Sequence, residues 1–252
     1  MSSAEPTVPV SSAPARLSPI VRAGRIFARP AAAWDDLVDH GQWLPPLLVS
    51  LVLWVGLQAL AFDHVTVPMM QDAWSEAVSA GRMEQAQTDQ MMGFFTSNPA
   101  ARWIVLGQQT IIWPLLSLLT ALVVWFGGGF VLGTKFRFRQ AFDVVCWAGI
   151  VKFPSLLLLF ALAWQKQTFK GVHLGLGALI PEGDAPDKLR TGLTTFLDFI
   201  GPFEAWWVAV AVIGVAALTG APRRNVAWVL VALYLAFGAF LAAVNALFNP
   251  GA

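Results

Sequence analysis

Residues 133–155 read GTKFRFRQAFDVVCWAGIVKFPS, between two long apolar runs. Three cations, Lys135, Arg137 and Arg139, stand at one end, and a lone Lys152 stands two residues before Pro154. If a membrane span began at Phe142, Lys152 would lie roughly 15 Å deep at 1.5 Å per residue. A lysine there costs about 2.5–3.5 kcal/mol on insertion scales and needs a partner. Asp143, nine residues away, points to the opposite side of a helix. No acid within a span is well placed by sequence. The less costly reading makes FRQAFDVVCWAG an interfacial helix with Phe138, Phe142, Val145 and Cys146 toward lipid. Lys152 then snorkels to the headgroups, and Pro154 breaks the hydrogen-bond ladder where the chain bends into the span.

The flanking sequence supports a membrane setting. Of the 252 residues, 57% are hydrophobic and 12% charged, where a soluble domain carries about 25% charged residues. Five apolar runs approach the roughly 20 residues that cross a hydrocarbon layer. They are Trp43–Phe62, about Ile104–Leu132, a third ending near Trp164, about Pro202–Leu218, and Val226–Phe248. Trp43, Trp103, Trp164, Trp206 and Trp207 mark run ends, as an interfacial aromatic belt does. The fold expected is an all-α integral membrane protein with five transmembrane helices and short interfacial amphipathic helices.

Cation sorting sets the expected orientation. With five spans, nine cations share one face: Arg16, Arg22, Arg25, Arg29, Lys135, Arg137, Arg139, Arg223 and Arg224. The other face has six, on much longer loops: Arg82, Arg102, Lys166, Lys170, Lys188 and Arg190. The N-terminus is therefore expected in the cytoplasm and the C-terminus outside. Residues 1–19 are rich in Ser, Pro and Ala and are expected to be a disordered tail, not a signal peptide. Residues 20–41 form an amphipathic cytoplasmic lead-in, suited to an anionic membrane surface. Residues 42–248 form the membrane domain, with outer helical loops at about 63–102 and 165–201. The first outer loop is read first as a solvated helical hairpin; its methionines at both ends also suit the alternative, an adaptable partner-docking surface. In the second, Leu189, Leu193, Phe196, Leu197 and Ile200 follow helical spacing.

Several function classes find no support. A net charge of +1 provides no basic field for nucleic acid. One cysteine, Cys146, and three scattered histidines provide neither a disulfide framework nor a metal motif. No Gly-x-Ser-x-Gly, paired acid–histidine motif or phosphate-binding glycine loop occurs. No enzyme activity and no cofactor are expected. Gly129 and Gly133 in GGGFVLG have the small-xxx-small spacing that lets helices approach closely, within one chain or between two copies.

Three regions together resemble the Ypt-interacting-protein (Yip) domain family, in its bacterial branch. IFARPAAAWDDLVDHGQWLPPLLV is similar to the family's aromatic-x-x-Pro lead-in before a Trp-flanked first span. GGGFVLGTKFRFRQAFDVVCWAGIVKFPSLL looks like its Gly-rich turn, basic Phe-containing loop and proline-marked third span. TTFLDFIGPFEAWWVAVAVIGVAALTG resembles its Leu-Asp-Phe…Trp approach to the fourth. The resemblance covers roughly residues 20–245. It implies a five-span bundle with a cytoplasmic N-terminus and no catalysis. Eukaryotic relatives bind small GTPases, and some bacterial relatives are linked to assembly of ABC-type efflux pumps. Ala148–Gly149 stands where many relatives carry a Gly-Tyr pair nearby, a departure that weakens any carry-over of the GTPase role to this chain.

The function expected is a non-enzymatic scaffold or assembly factor in a bacterial cytoplasmic (inner) membrane. Its partners are the lipid bilayer and an integral membrane protein such as a transporter subunit, with self-association at the glycines as a further option. The candidate hinge and interaction residues are Gly129, Gly133, Lys135, Arg137, Arg139, Lys152 and Pro154. The alternative is a small transporter or channel, for which the spans offer Gln108, Gln109, Thr110, Lys152 and Asn245 as polar groups.

Overall fold

The computed structural model describes residues 16–38, 40–181 and 188–248, so most of the expected N-terminal tail lies outside the described residues. Among the described residues the chain is helical throughout, without strands. The helices are α1 (Pro19–Ala28), α2 (Leu44–Ala61), α3 (Val67–Ser79), α4 (Gln85–Ser97), α5 (Pro99–Trp125), α6 (Phe138–Gly149), α7 (Phe153–Lys166), α8 (Lys188–Asp198), α9 (Pro202–Thr219) and α10 (Arg223–Phe248). Among the described residues, five continuous helical stretches are long and apolar enough to cross a membrane: Leu44–Ser79, Ala100–Val131, Phe138–Lys166, Pro202–Thr219 and Arg223–Phe248.

Local chemistry sets the helix ends. Ser18 caps α1 through its hydroxyl to the Val21 N–H, and Pro19 fills the first turn, where its missing N–H costs nothing. Asn98 and Pro99 do the same for α5. Gly220, at φ +70°, terminates α9 in the left-handed conformation that glycine tolerates best. Between α6 and α7 the ladder tightens into a 3₁₀ turn at Ile150–Lys152, and Pro154 sits in the first turn of α7. The break predicted at Pro154 is therefore present, as a turn of tightened helix rather than a loop.

The 36-residue stretch Leu44–Ser79 runs from α2 to α3 through a π-helical segment at Phe62–Thr66. At 1.5 Å per residue it is roughly 54 Å long, well beyond a hydrocarbon core of about 30 Å. Its distal part, α3, pairs with α4 into a hairpin, with Trp74 against Phe95 at 5.5 Å. No residue of α3 is buried. Lys170 pairs with Glu76 at 3.0 Å, tying the hairpin to the segment after α7.

The core centres on α6. Every residue from Gln140 to Ala148 is buried, enclosed by α2, α5, α9 and the folded lead-in. The lead-in is α1 followed by two 3₁₀ turns, Pro30–Ala33 and Asp35–Leu37. Its Trp34 is fully buried against α9, where Gly214 leaves room for the indole. This corrects the lipid-facing assignment of α6. Phe142, Val145 and Cys146 are only 7%, 6% and 5% exposed, and Phe138 alone of the four named side chains is exposed. The physical reason is that the lead-in folds over the polar side of α6, its Gln42 N–H and Val38 carbonyl engaging Asp143 and Gln140, while α2, α5 and α9 cover the apolar side.

A Cβ at Gly214 would lie 3.0–3.1 Å from the Trp34 ring. Gly214→Leu is expected to expel Trp34 and to cost about 1–3 kcal/mol of stability. Thermal denaturation in detergent, with faster tryptic cleavage at Arg22 and Arg25, measures this. Gly56→Ala, where a Cβ meets open space, should stay within about 0.5 kcal/mol of the parent.

Candidate functional site

The candidate residues of the 133–155 segment fall into two separate places. Gly133 has φ +63° and no neighbour at its Cβ position, so it makes a turn beyond the helix end. Gly129 faces the Phe136 carbonyl and the Trp125 indole of its own loop. The expected glycine seam is thus corrected: within this chain Gly127 seats the helix contact, admitting Leu233, Val229 and Leu230 of α10. The spacing pattern missed this because a π-helical segment at Phe126–Val131 changes which glycine faces the neighbour. Lys135, Arg137 and Arg139 are exposed, and the Arg139 side chain runs beside Gly41 of the lead-in.

At this end of the bundle a buried polar network joins the lead-in to α6. The Arg22 guanidinium is fully buried. It donates to Asp36 Oδ2 at 2.6 Å, to Gln42 Oε1 at 2.7 Å and to the Ala33 carbonyl, and stands 5.4 Å over the Trp147 ring. The Gln42 N–H donates to Asp143 Oδ1 at 2.6 Å, and Trp147 Nε1 donates to the Gln42 carbonyl at 3.0 Å. Burial alone would raise the Asp36 pKa, but hydrogen bonds from Arg22 and the Leu17 N–H, with the Arg22 charge, hold it below the ordinary carboxylate value. Arg22, Asp36 and Gln42 were missed by sequence reasoning, which assigned Arg22 to a membrane surface. No periodicity marks a charge paired across tertiary structure.

Lys152 lies 13 residues from Arg139, roughly 20 Å along a helical path. Its Nζ is 3.7 Å from Glu204 Oε1 and stands 5.3 Å over the Trp207 ring. The ammonium is turned into the bundle toward α9. This corrects the expectation that no acid is suitably placed: Glu204, in the first turn of α9, is that acid. The only available signal was an acid inside GPFEAWWVAV, directly before two tryptophans. Asp143 does point away from Lys152, into the lead-in network.

Lys152, Glu204 and Trp207 border a cavity of about 500 Å³. All five spans contribute to its wall, among them Ser50 of α2, Ser117 of α5, Leu156 of α7, Ala211 of α9 and Tyr234 of α10. Trp54 and Trp113 stack at 4.9 Å along one side. Val172, Leu174, Gly175 and Asp198 also line it. His173 Nδ1 is 2.7 Å from Asp198 Oδ2, and the Leu176 N–H donates to the Ile200 carbonyl. Burial raises the Asp198 pKa, opposed by the hydrogen bond and charge of His173. Gly201 leaves room for the Glu204 carboxylate, since a Cβ there would meet Oε2 at 2.7 Å.

Among the described residues no group of three or more His, Cys, Asp or Glu side chains is placed to hold a metal ion. Cys146 is a buried free thiol beside the cavity. The Yip1 domain family matches residues 24–244, so this chain belongs to that family. No curated protein and no solved structure matches it.

Removing Arg22 leaves Asp36 charged and buried without its partner. Arg22→Met is therefore expected to cost about 3–5 kcal/mol, and Arg22→Met/Asp36→Asn less than the sum of the two single changes. A double-mutant cycle by chemical denaturation in detergent reads this coupling. Because the folded Asp36 pKa is depressed, its contribution is complete above the unfolded value of about 3.9 and is lost as pH falls through the folded value. The stability gap between parent and Asp36→Asn should be constant above about pH 5 and shrink below about pH 4. A gap that widened on acidification would contradict this assignment.

Proposed function

We propose that this Yip1-family membrane protein is a non-enzymatic scaffold that helps assemble or regulate an integral membrane complex, with an ABC-type efflux pump as the expected class. The observation that carries this reading is the α3–α4 hairpin. It continues the first span beyond the length a bilayer needs, buries no residue of α3, and leaves Met91 and Phe94 exposed. Flexible thioether and aromatic side chains exposed along α4 of such a hairpin suit a protein partner. Under this reading the N-terminus is cytoplasmic, the hairpin lies outside, and the membrane is a bacterial inner membrane; the nine-to-six sorting of cations supports that orientation. The exposed face of α8, with Leu189 and Leu193, then rests on the outer surface of that membrane.

A second reading, a small transporter, draws support from the cavity and its Lys152–Glu204 pair. The two readings separate cleanly. Full-length protein extracted in mild detergent should retain a stoichiometric membrane partner. Met91→Glu/Phe94→Glu should lose it without a change in elution profile or melting temperature, and Lys152→Met should keep it. The scaffold reading fails if the hairpin variant keeps the same partner, or if no stoichiometric partner is recovered. Loss of solute flux in Lys152→Met vesicles would favour the transporter.

A further inference from the structure

The cavity is not required by a docking role, and its chemistry points to an occupant. Its body is apolar, built from side chains such as Leu156, Leu233 and Phe237. α5 and α10 come together where Gly127 admits Leu233 and Leu230. Farther along, Leu116 and Thr120 of α5 and Tyr234 and Phe237 of α10 line the cavity, and Leu116 is still 45% exposed. The space is thus bordered by residues of two spans whose outer faces meet lipid. Its volume of about 500 Å³ is within the range of roughly 300–1,000 Å³ typical of small-molecule sites.

The polar part of the wall selects among amphiphiles. It presents one ammonium, Lys152, 37% exposed, and two carboxylates, Glu204 and Asp198. Asp198 already has His173 as a partner, whereas Lys152 and Glu204 approach no closer than 3.7 Å. A fatty-acid carboxylate would find a cation beside two anions. A zwitterionic head matches both signs at once, its phosphate meeting Lys152 and its ammonium meeting Glu204. We propose that the cavity binds one acyl chain of an ethanolamine-type zwitterionic phospholipid, with its head held between Lys152 and Glu204. This site is independent of the hairpin surface.

The test uses full-length protein in vesicles containing phosphatidylethanolamine with a diazirine on one acyl chain. After illumination, adducts are mapped by mass spectrometry. Adducts are expected on cavity residues Ser117, Leu156 and Phe237. Thr120→Trp, which fills the space, should lower these about tenfold and leave adducts on outward-facing Leu118 and Val231 unchanged. Lys152→Met removes a charge-assisted contact and should lower cavity adducts by about tenfold as well. Thr120→Trp carries the test if Lys152→Met does not elute as a folded protein. Phosphatidylglycerol and a free fatty acid with the same label should mark the cavity less. Adducts confined to outward residues mean bulk bilayer contact only and overturn the proposal. Equal cavity labelling by the fatty acid overturns the zwitterionic assignment.

Discussion

The structure depends on the cost of burying a guanidinium. Arg22 lies fully enclosed between the lead-in and α6, and such a group is tolerated only when its donors are met. Asp36, Gln42 and the Ala33 carbonyl meet them, and Gln42 in turn engages Asp143 and Trp147 on α6. Asp36 Oδ1 and Asp143 Oδ2 stay buried without a hydrogen-bond partner, so the Arg22 and Gln42 contacts are what hold the lead-in in register on α6. With the lead-in in place, Trp34 reaches Gly214 and α9 is fixed as well. A polar network thus joins the lead-in to α6, whose other neighbours are met mainly by apolar side chains.

At the other end of α6 the polar groups are sparser and less closely matched. Lys152 and Glu204 are 3.7 Å apart and border a cavity rather than a packed interface. One helix therefore joins a rigid region to one with empty volume. The 3₁₀ turn at Ile150–Lys152 and Pro154 stand at the transition.

Much of this was legible in the residues. Apolar runs and their tryptophan ends located five spans, because length and transfer energy are properties of a segment alone. The interruption at Pro154 was legible for the same reason, since proline acts on its own backbone. The misreadings share another cause. Burial of Phe142, Val145 and Cys146 depends on a lead-in more than 90 residues earlier in the chain, and Gly127 rather than Gly129 faces α10 because of a local change in helical register. Glu204 is 52 residues from Lys152, a distance at which helical spacing carries no information. Buried charge pairs in a membrane bundle are tertiary facts, and a single chain's pattern shows only that the members exist.

The first span offers a mechanical consequence. From Leu44 to Ser79 the backbone never leaves a helical path, so the part bearing Ser50 and Trp54 at the cavity and the part bearing the projecting hairpin form a single lever. Its wide-register turn at Phe62–Thr66 is the natural fulcrum, steadied by the Arg102 side chain on the Ala59 carbonyl and on Asp63. No loop separates the hairpin from the wall of the internal space, so the two are parts of one unbroken backbone path.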